Sequence, residues 1–209
     1  MIAFLRLIRA PNIITSISNF CAGAFIVALF QLTTPPLLPL FALMTCSALI
    51  YANGIIWNDI FDLEIDKKLR PNRPLPAGTI KVTTAFLISL IFGVLTIILS
   101  GLVSNSALLI CLAIMISAFL YDAWWKHNDW TGSIAMGICR GLNLSLGFCV
   151  FTAFSFHKED PDMPDILLFS AFHFIYIFTI TYIGTMQEGN APINKIIISF
   201  GLALLLMVY

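Results

Sequence analysis

Seven apolar stretches, roughly residues 10–30, 37–58, 82–102, 105–122, 132–156, 165–187 and 193–209, are each long enough to cross a bilayer as a helix. Inside lipid a chain must satisfy its own backbone hydrogen bonds, so only helices and closed barrels can span. Barrel strands alternate polarity at every residue, whereas these stretches are continuously apolar and joined by short loops. The expected fold is therefore all-α: a polytopic transmembrane helical bundle of about seven spans, forming one domain over residues 1–209. Composition agrees, with 59% hydrophobic and 11% charged residues, outside the range of soluble domains. The start Met1-Ile2-Ala3-Phe4-Leu5-Arg6 lacks a cleavable signal's cleavage pattern.

The zero net charge hides an ordered distribution. Arg6 and Arg9 precede the first span, and Lys67, Lys68, Arg70, Arg73 and Lys81 lie between the second and third. Lys126 follows the fourth and Lys195 the sixth, while Lys158 alone falls on the other side, in the acidic loop 157–162. Lys and Arg excess marks the cytoplasmic face, which puts the N-terminus and the even-to-odd loops there, in an inner (cell) membrane. No nucleic-acid partner is expected. Cys21, Cys46, Cys111, Cys139 and Cys149 fall within spans without metal-ligand spacing and read as buried inert thiols. His127, His157 and His173 are scattered, and Trp124, Trp125 and Trp130 read as an interfacial belt.

Where the second span leaves the membrane the chain reads Asn58-Asp59-Ile60-Phe61-Asp62-Leu63-Glu64-Ile65-Asp66. At about 100° per residue, Asn58, Asp59, Asp62 and Asp66 share one helical stripe roughly 100° wide, and Glu64 falls on the opposite face. Like charges crowded beside lipid repel each other and lose solvation, so a positive partner is required. A hard divalent cation with oxygen ligands suits them. Pro71 ends this helix, and Pro74 and Pro76 are expected to keep the next segment extended, with Arg70 and Arg73 near the acids. Carboxylates beside guanidinium forks match a diphosphate bridged by Mg²⁺, which commonly takes one or two carboxylates plus substrate phosphates.

A second cluster, Tyr121-Asp122-Ala123-Trp124-Trp125-Lys126-His127, follows the fourth span. Lys126 could contact the diphosphate and Tyr121 could face a cavity; the alternative is an ordinary interfacial loop. Arg140, one or two turns inside an apolar span, is a candidate site residue that needs an anionic partner, with Asn143 on the same side. Asn12, Ser16 and Asn19 fall within about 60° of one another and should face the bundle interior, lining a cavity or bonding between helices.

The run Asn58-Asp59-x-x-Asp62-x-x-x-Asp66, followed by Arg70-Pro71-x-Arg73-Pro74-Leu75-Pro76-Ala77-Gly78, resembles the first signature of the UbiA superfamily of intramembrane prenyltransferases. Residues 132–147, with Met136-Gly137-Ile138-Cys139-Arg140-Gly141-Leu142-Asn143-Leu144, further resemble its EboC-like branch. The resemblance implies a bundle, usually of nine spans, around a cavity open to the cytoplasm and laterally to lipid. It implies Mg²⁺-dependent transfer of a prenyl group from a prenyl diphosphate to an aromatic or other lipid-soluble acceptor. Carried over, Asn58, Asp62 and Asp66 would hold the metal with Asp59 close by, and Arg70, Arg73 and Lys126 would grip the diphosphate, with Arg140 a further candidate.

Two departures accompany the match. The family's second motif, Asp-x-x-x-Asp after the sixth span, has only Glu188 as an acidic counterpart, between Gln187 and Gly189-Asn190. The chain also stops at Tyr209 within the seventh stretch, as a shortened branch or an incomplete chain would. They sustain an alternative expectation, a non-catalytic relative that binds or transports an isoprenoid or secondary-metabolite precursor. An ion-coupled transporter is disfavoured, because the acids gather at one surface instead of crossing the membrane.

Overall fold

The structure, a computed structural model, describes residues 2–152 and 163–188. Its regular secondary structure, among the described residues, is all helical: α1 (Ile2–Leu7), α2 (Ala10–Phe30), α3 (Leu37–Phe61), α4 (Leu63–Leu69), α5 (Val82–Val103), α6 (Asn105–Ala123), α7 (Asp129–Thr152) and α8 (Met163–Glu188). A single 3-10 turn, Trp125–His127, joins α6 to α7. Six helices, α2, α3, α5, α6, α7 and α8, are long and apolar enough to cross a membrane. They match the first six expected spans; the stretch 193–209 and the loop carrying His157 and Lys158 lie outside the described residues.

α3 and α7 occupy the middle of the bundle. α7 packs against α2, α3, α6 and α8, and α3 against α2, α5, α6 and α7. Between them sits a core that includes Phe20, Leu43, Cys46, Cys111, Leu146 and Val150, all fully buried. All five cysteines are free thiols, and Cys46, Cys111 and Cys149 are buried. Single buried polar residues tie the helices together, as Ser89 does by donating to Asn53.

A smaller cluster, Leu7, Ile8, Ala52, Ile56, Leu75 and Ala85, closes the acidic end. Its member Leu75 comes from the loop after α4, and its burial folds that loop back against the bundle. Here the structure corrects the extended segment expected from Pro74 and Pro76. Residues 70–80 form successive turns, with Arg73 N donating to Arg70 O, Ala77 N to Arg73 O and Gly78 N to Leu75 O. Gly78 has φ +69, a left-handed conformation that a side chain resists and glycine adopts freely. Thr79 Oγ1 donates to Pro74 O across the turn. α4 does end at Leu69, ahead of Pro71, because proline disfavours helix in the residue before it.

Candidate functional site

The acidic stripe survives a small break in its helix. α3 ends at Phe61 and α4 begins at Leu63, yet Asp62 N donates to Asn58 O and Asp66 N to Asp62 O at 2.9 and 2.8 Å. That i to i+4 continuity keeps the four side chains on one side. Glu64 lies on the other, exposed, where the hydrogen bond from Lys67 at 2.6 Å holds its carboxyl below the usual range.

Tertiary partners divide the stripe in two. Asp59 and Asp66 are almost fully buried and engaged by arginines. Arg9 Nη2 lies 2.6 Å from Asp59 Oδ1, and Arg73 Nη1 lies 3.4 Å from Asp59 and 2.5 Å from Asp66 Oδ2. Arg70 stands 3.7 Å from Asp66 with its side chain 60% exposed, so it is the free arm of the pair. Arg73 thus fastens the loop onto the stripe, and Arg9 fastens the start of α2. Arg9 sits at φ 46, a strained left-handed conformation for a non-glycine residue, at the junction that turns α1 into α2.

The other half of the stripe meets α6 and the turn after it. Lys126 Nζ lies 2.5 Å from Asp62 Oδ1, and Asn58 Nδ2 donates to Asp122 Oδ1 at 3.0 Å. Asp122 is buried at the end of α6 and feels the charges of Lys126, Asp62 and Asp59. Asn58, Asp62 and Asp122 therefore offer oxygen donors of the kind a hard divalent cation prefers. Among the described residues no group of three or more His, Cys, Asp or Glu side chains is arranged to hold a metal unaided. A cation here would complete its shell from water and substrate oxygens. Asp62 and Asp66, both expected to be ligands, lie outside the cavity lining, and Asp66 is in addition buried against Arg73.

Behind Asn58 and Asp122 opens a cavity of about 250 Å³ between α2, α3, α6 and α7. Arg9, Tyr121 and Asp122 line its mouth; Ser16, Ser47, Tyr51, Arg140 and Asn143 line its deeper part, with Ile50, Ile55, Ile114 and Met136 between them. Ser16 Oγ pairs with Ser47 Oγ at 3.0 Å, and Asn143 Nδ2 donates to Ser16 O at 2.9 Å. Asn19 takes the interhelical role, donating to Arg140 O at 2.8 Å. Neither Asn19 nor the exposed Asn12 lines the cavity, because the inward edge of α2 runs through Ser16, Phe20 and Gly23. The side chain of Glu188 lies outside the described residues.

Arg140 stands apart from the acids. α7 begins at Asp129, earlier than expected, so Arg140 is about three turns inside it and not one or two. Its guanidinium donates to Thr15 O and Thr15 Oγ1 and lies over the Tyr51 ring, 5.5 Å from the centroid. Arg9, Asp122 and Tyr51 are the site residues the sequence reading did not single out. An acid at the end of an apolar helix was the available signal for Asp122; Arg9 was read only as part of the basic face. Arg9→Gln is expected to leave Asp59 buried with one longer contact and to cost about 1–3 kcal/mol of stability, checked by thermal unfolding in detergent. An unshifted transition would show that Arg73 alone suffices for Asp59.

The UbiA prenyltransferase family matches residues 18–195. A digeranylgeranylglyceryl phosphate synthase of Sulfurisphaera tokodaii is 31% identical over 149 residues, covering 71% of this chain and 52% of that protein. The corresponding synthase of Sulfolobus acidocaldarius is 34% identical over 148 residues, covering 69% of this chain and 51% of its own. The chain spans about half the length of the curated relatives it matches. Among solved structures, one of a digeranylgeranylglyceryl phosphate synthase superposes with a TM-score of 0.77 at 24% identity, covering 98% of this chain and 75% of the other. A UbiA homologue from Archaeoglobus fulgidus bound to GPP and Mg²⁺ superposes at 0.73 with 18% identity, covering 96% and 67%. At those identities the likeness speaks for the fold.

Proposed function

The chain belongs to the UbiA prenyltransferase family, and we propose that it transfers a prenyl group from a prenyl diphosphate to an acceptor within the membrane. The observation that carries this reading is the cluster of Asn58, Asp122 and Arg9 lining the mouth of a mostly apolar cavity, next to the pair that Asp62, on the same stripe, makes with Lys126. Asn58 and Asp62, with Asp122, would hold Mg²⁺, and Asp66 would be available to it only if Arg73 released its carboxylate. Bound there, Mg²⁺ supplies positive charge to the diphosphate oxygens.

The chain's own residues do the rest. Lys126 and the arginines neutralise the diphosphate as the allylic C–O bond breaks and its electron pair leaves with the phosphate oxygen. Tyr121 faces the cavity and can shelter the positive allylic carbon through its ring. The isoleucine and methionine walls exclude water that would quench that carbon. The acceptor nucleophile then bonds to the allylic carbon and loses its proton. The named product of the curated relatives, a glyceryl phosphate carrying two geranylgeranyl groups, favours a glyceryl acceptor over an aromatic one. The basic residues around the cluster favour a cytoplasmic site.

The test is to incubate membranes carrying the protein with radiolabelled prenyl diphosphates of graded length and Mg²⁺, and to measure prenylated lipid and released diphosphate. Chelation of the metal is expected to stop both. Tight binding of the donor with no diphosphate release would favour the non-catalytic alternative, which the single acid at the second motif keeps in play.

A further inference from the structure

Arg140 lines the same cavity as Asn58 and Asp122 but sits deeper. The ring it covers, Tyr51, precedes Asn58 by seven residues on α3, which at 1.5 Å per residue is about 10 Å farther from the mouth. One diphosphate cannot be held by Lys126 at the mouth and by Arg140 at that depth. Arg140 also makes no ion pair among the described residues. Among the described residues its guanidinium gives two hydrogen bonds, both to Thr15 and both 3.3 Å, long for a charged donor, and they occupy a minority of its N–H groups. A cation three turns inside a membrane helix is costly unless an anion meets it. Asp59, Asp66 and Asp62 are engaged by Arg9, Arg73 and Lys126, and Asp122, the acid that lines the cavity, accepts from Asn58 at the mouth and makes no ion pair with Arg140 among the described residues.

We propose that Arg140, with Tyr51 and Thr15, forms the acceptor subsite and takes an oxyanion carried by the prenyl acceptor. A guanidinium fork matches phosphate or carboxylate oxygens two at a time, so an acidic acceptor docks with its charge deep and its nucleophile toward the mouth. There the allylic carbon of a donor held by Asn58, Asp62 and Lys126 would lie. This assignment rests on the transferase reading and adds to it the class of acceptor and the residue that selects it.

The experiment compares two acceptor pairs at saturating prenyl diphosphate: a monoalkyl glyceryl phosphate ether with its phosphate-free glycerol ether, and an aromatic hydroxy acid with the corresponding phenol. In at least one pair the unaltered protein should prefer the acid by about 10- to 100-fold in kcat/KM, the worth of a charged hydrogen-bond pair. The preferred pair identifies phosphate or carboxylate as the recognised group. Arg140→Gln should raise KM for that acid by a similar factor, leaving the neutral partner and the KM for prenyl diphosphate unchanged. Arg140→Lys should recover only part of the preference. An unaltered protein that turns over both members of both pairs equally overturns the subsite, as does an Arg140→Gln loss shared by acid and neutral acceptors. A protein that neither binds labelled prenyl diphosphate nor releases diphosphate with any acceptor overturns the transferase reading itself.

Discussion

Asp62→Ala is expected to abolish turnover while the protein accumulates in the membrane at its normal level. Asp59 and Asp66 are sealed beneath arginines, whereas Asp62 keeps 21% of its side chain exposed and, among the described residues, pairs with a lysine alone. It is thus the stripe's carboxylate best placed to exchange a protein cation for a metal or a substrate. Its removal deletes a cation ligand where negative charge develops, and a loss on the order of 1,000-fold in kcat follows if that charge goes unmatched. Folding should tolerate the change, since the α3–α4 junction is held by backbone hydrogen bonds that alanine retains. Asp62→Asn separates charge from shape and is expected to be almost as inactive. Glu64→Ala, two residues on and on the opposite, exposed face, should behave as the parent. The readout is labelled diphosphate released per unit of membrane protein, and an active Asp62→Ala would remove this residue from the site.

The spans and the stripe were legible because both are local patterns. An apolar run of membrane length has few alternatives in lipid, and a four-residue spacing of acids fixes their common side whatever surrounds them. What stayed hidden depends on tertiary partners. Nothing local separates Asp59 from Asp62, yet one meets Arg9 from the α1–α2 junction and the other Lys126 after α6. Asp122 gains its role only because α6 ends beside Asn58. The prolines suggested an extended loop, but burial of Leu75 and the left-handed turn at Gly78 fold it back and carry Arg73 onto the acids. Arg140 was recognisable as an anion-seeking cation, and its depth came from helix boundaries that hydropathy blurs.

Gly147→Ala is expected to destabilise the bundle, although alanine favours a helix over glycine by about 1 kcal/mol. A Cβ at Gly147 would lie 2.3 Å from Phe20 O and 2.6 Å from Ala24 N, and one at Gly23 would lie 2.1 Å from Leu144 O. All three atoms belong to backbone, so no rotamer change relieves the clash and α2 must move away from α7. Small residues at such crossings let membrane helices approach closely, and here the approach also aligns the polar ties beside the cavity. Asn19 to Arg140 O and Asn143 to Ser16 O span this same interface at 2.8 and 2.9 Å. Forcing it apart stretches both and disturbs the seat of Arg140. Overpacking costs about 1–3 kcal/mol and more against rigid neighbours, so it outweighs the gain in propensity and should lower Tm in detergent by about 5–10 °C. Gly184→Ala on α8, where a Cβ would meet nothing within 4 Å, isolates the propensity effect and should be neutral or stabilising. If Gly147→Ala melted at or above the parent temperature, α2 and α7 would not cross this closely, and the cavity they wall would have a different shape.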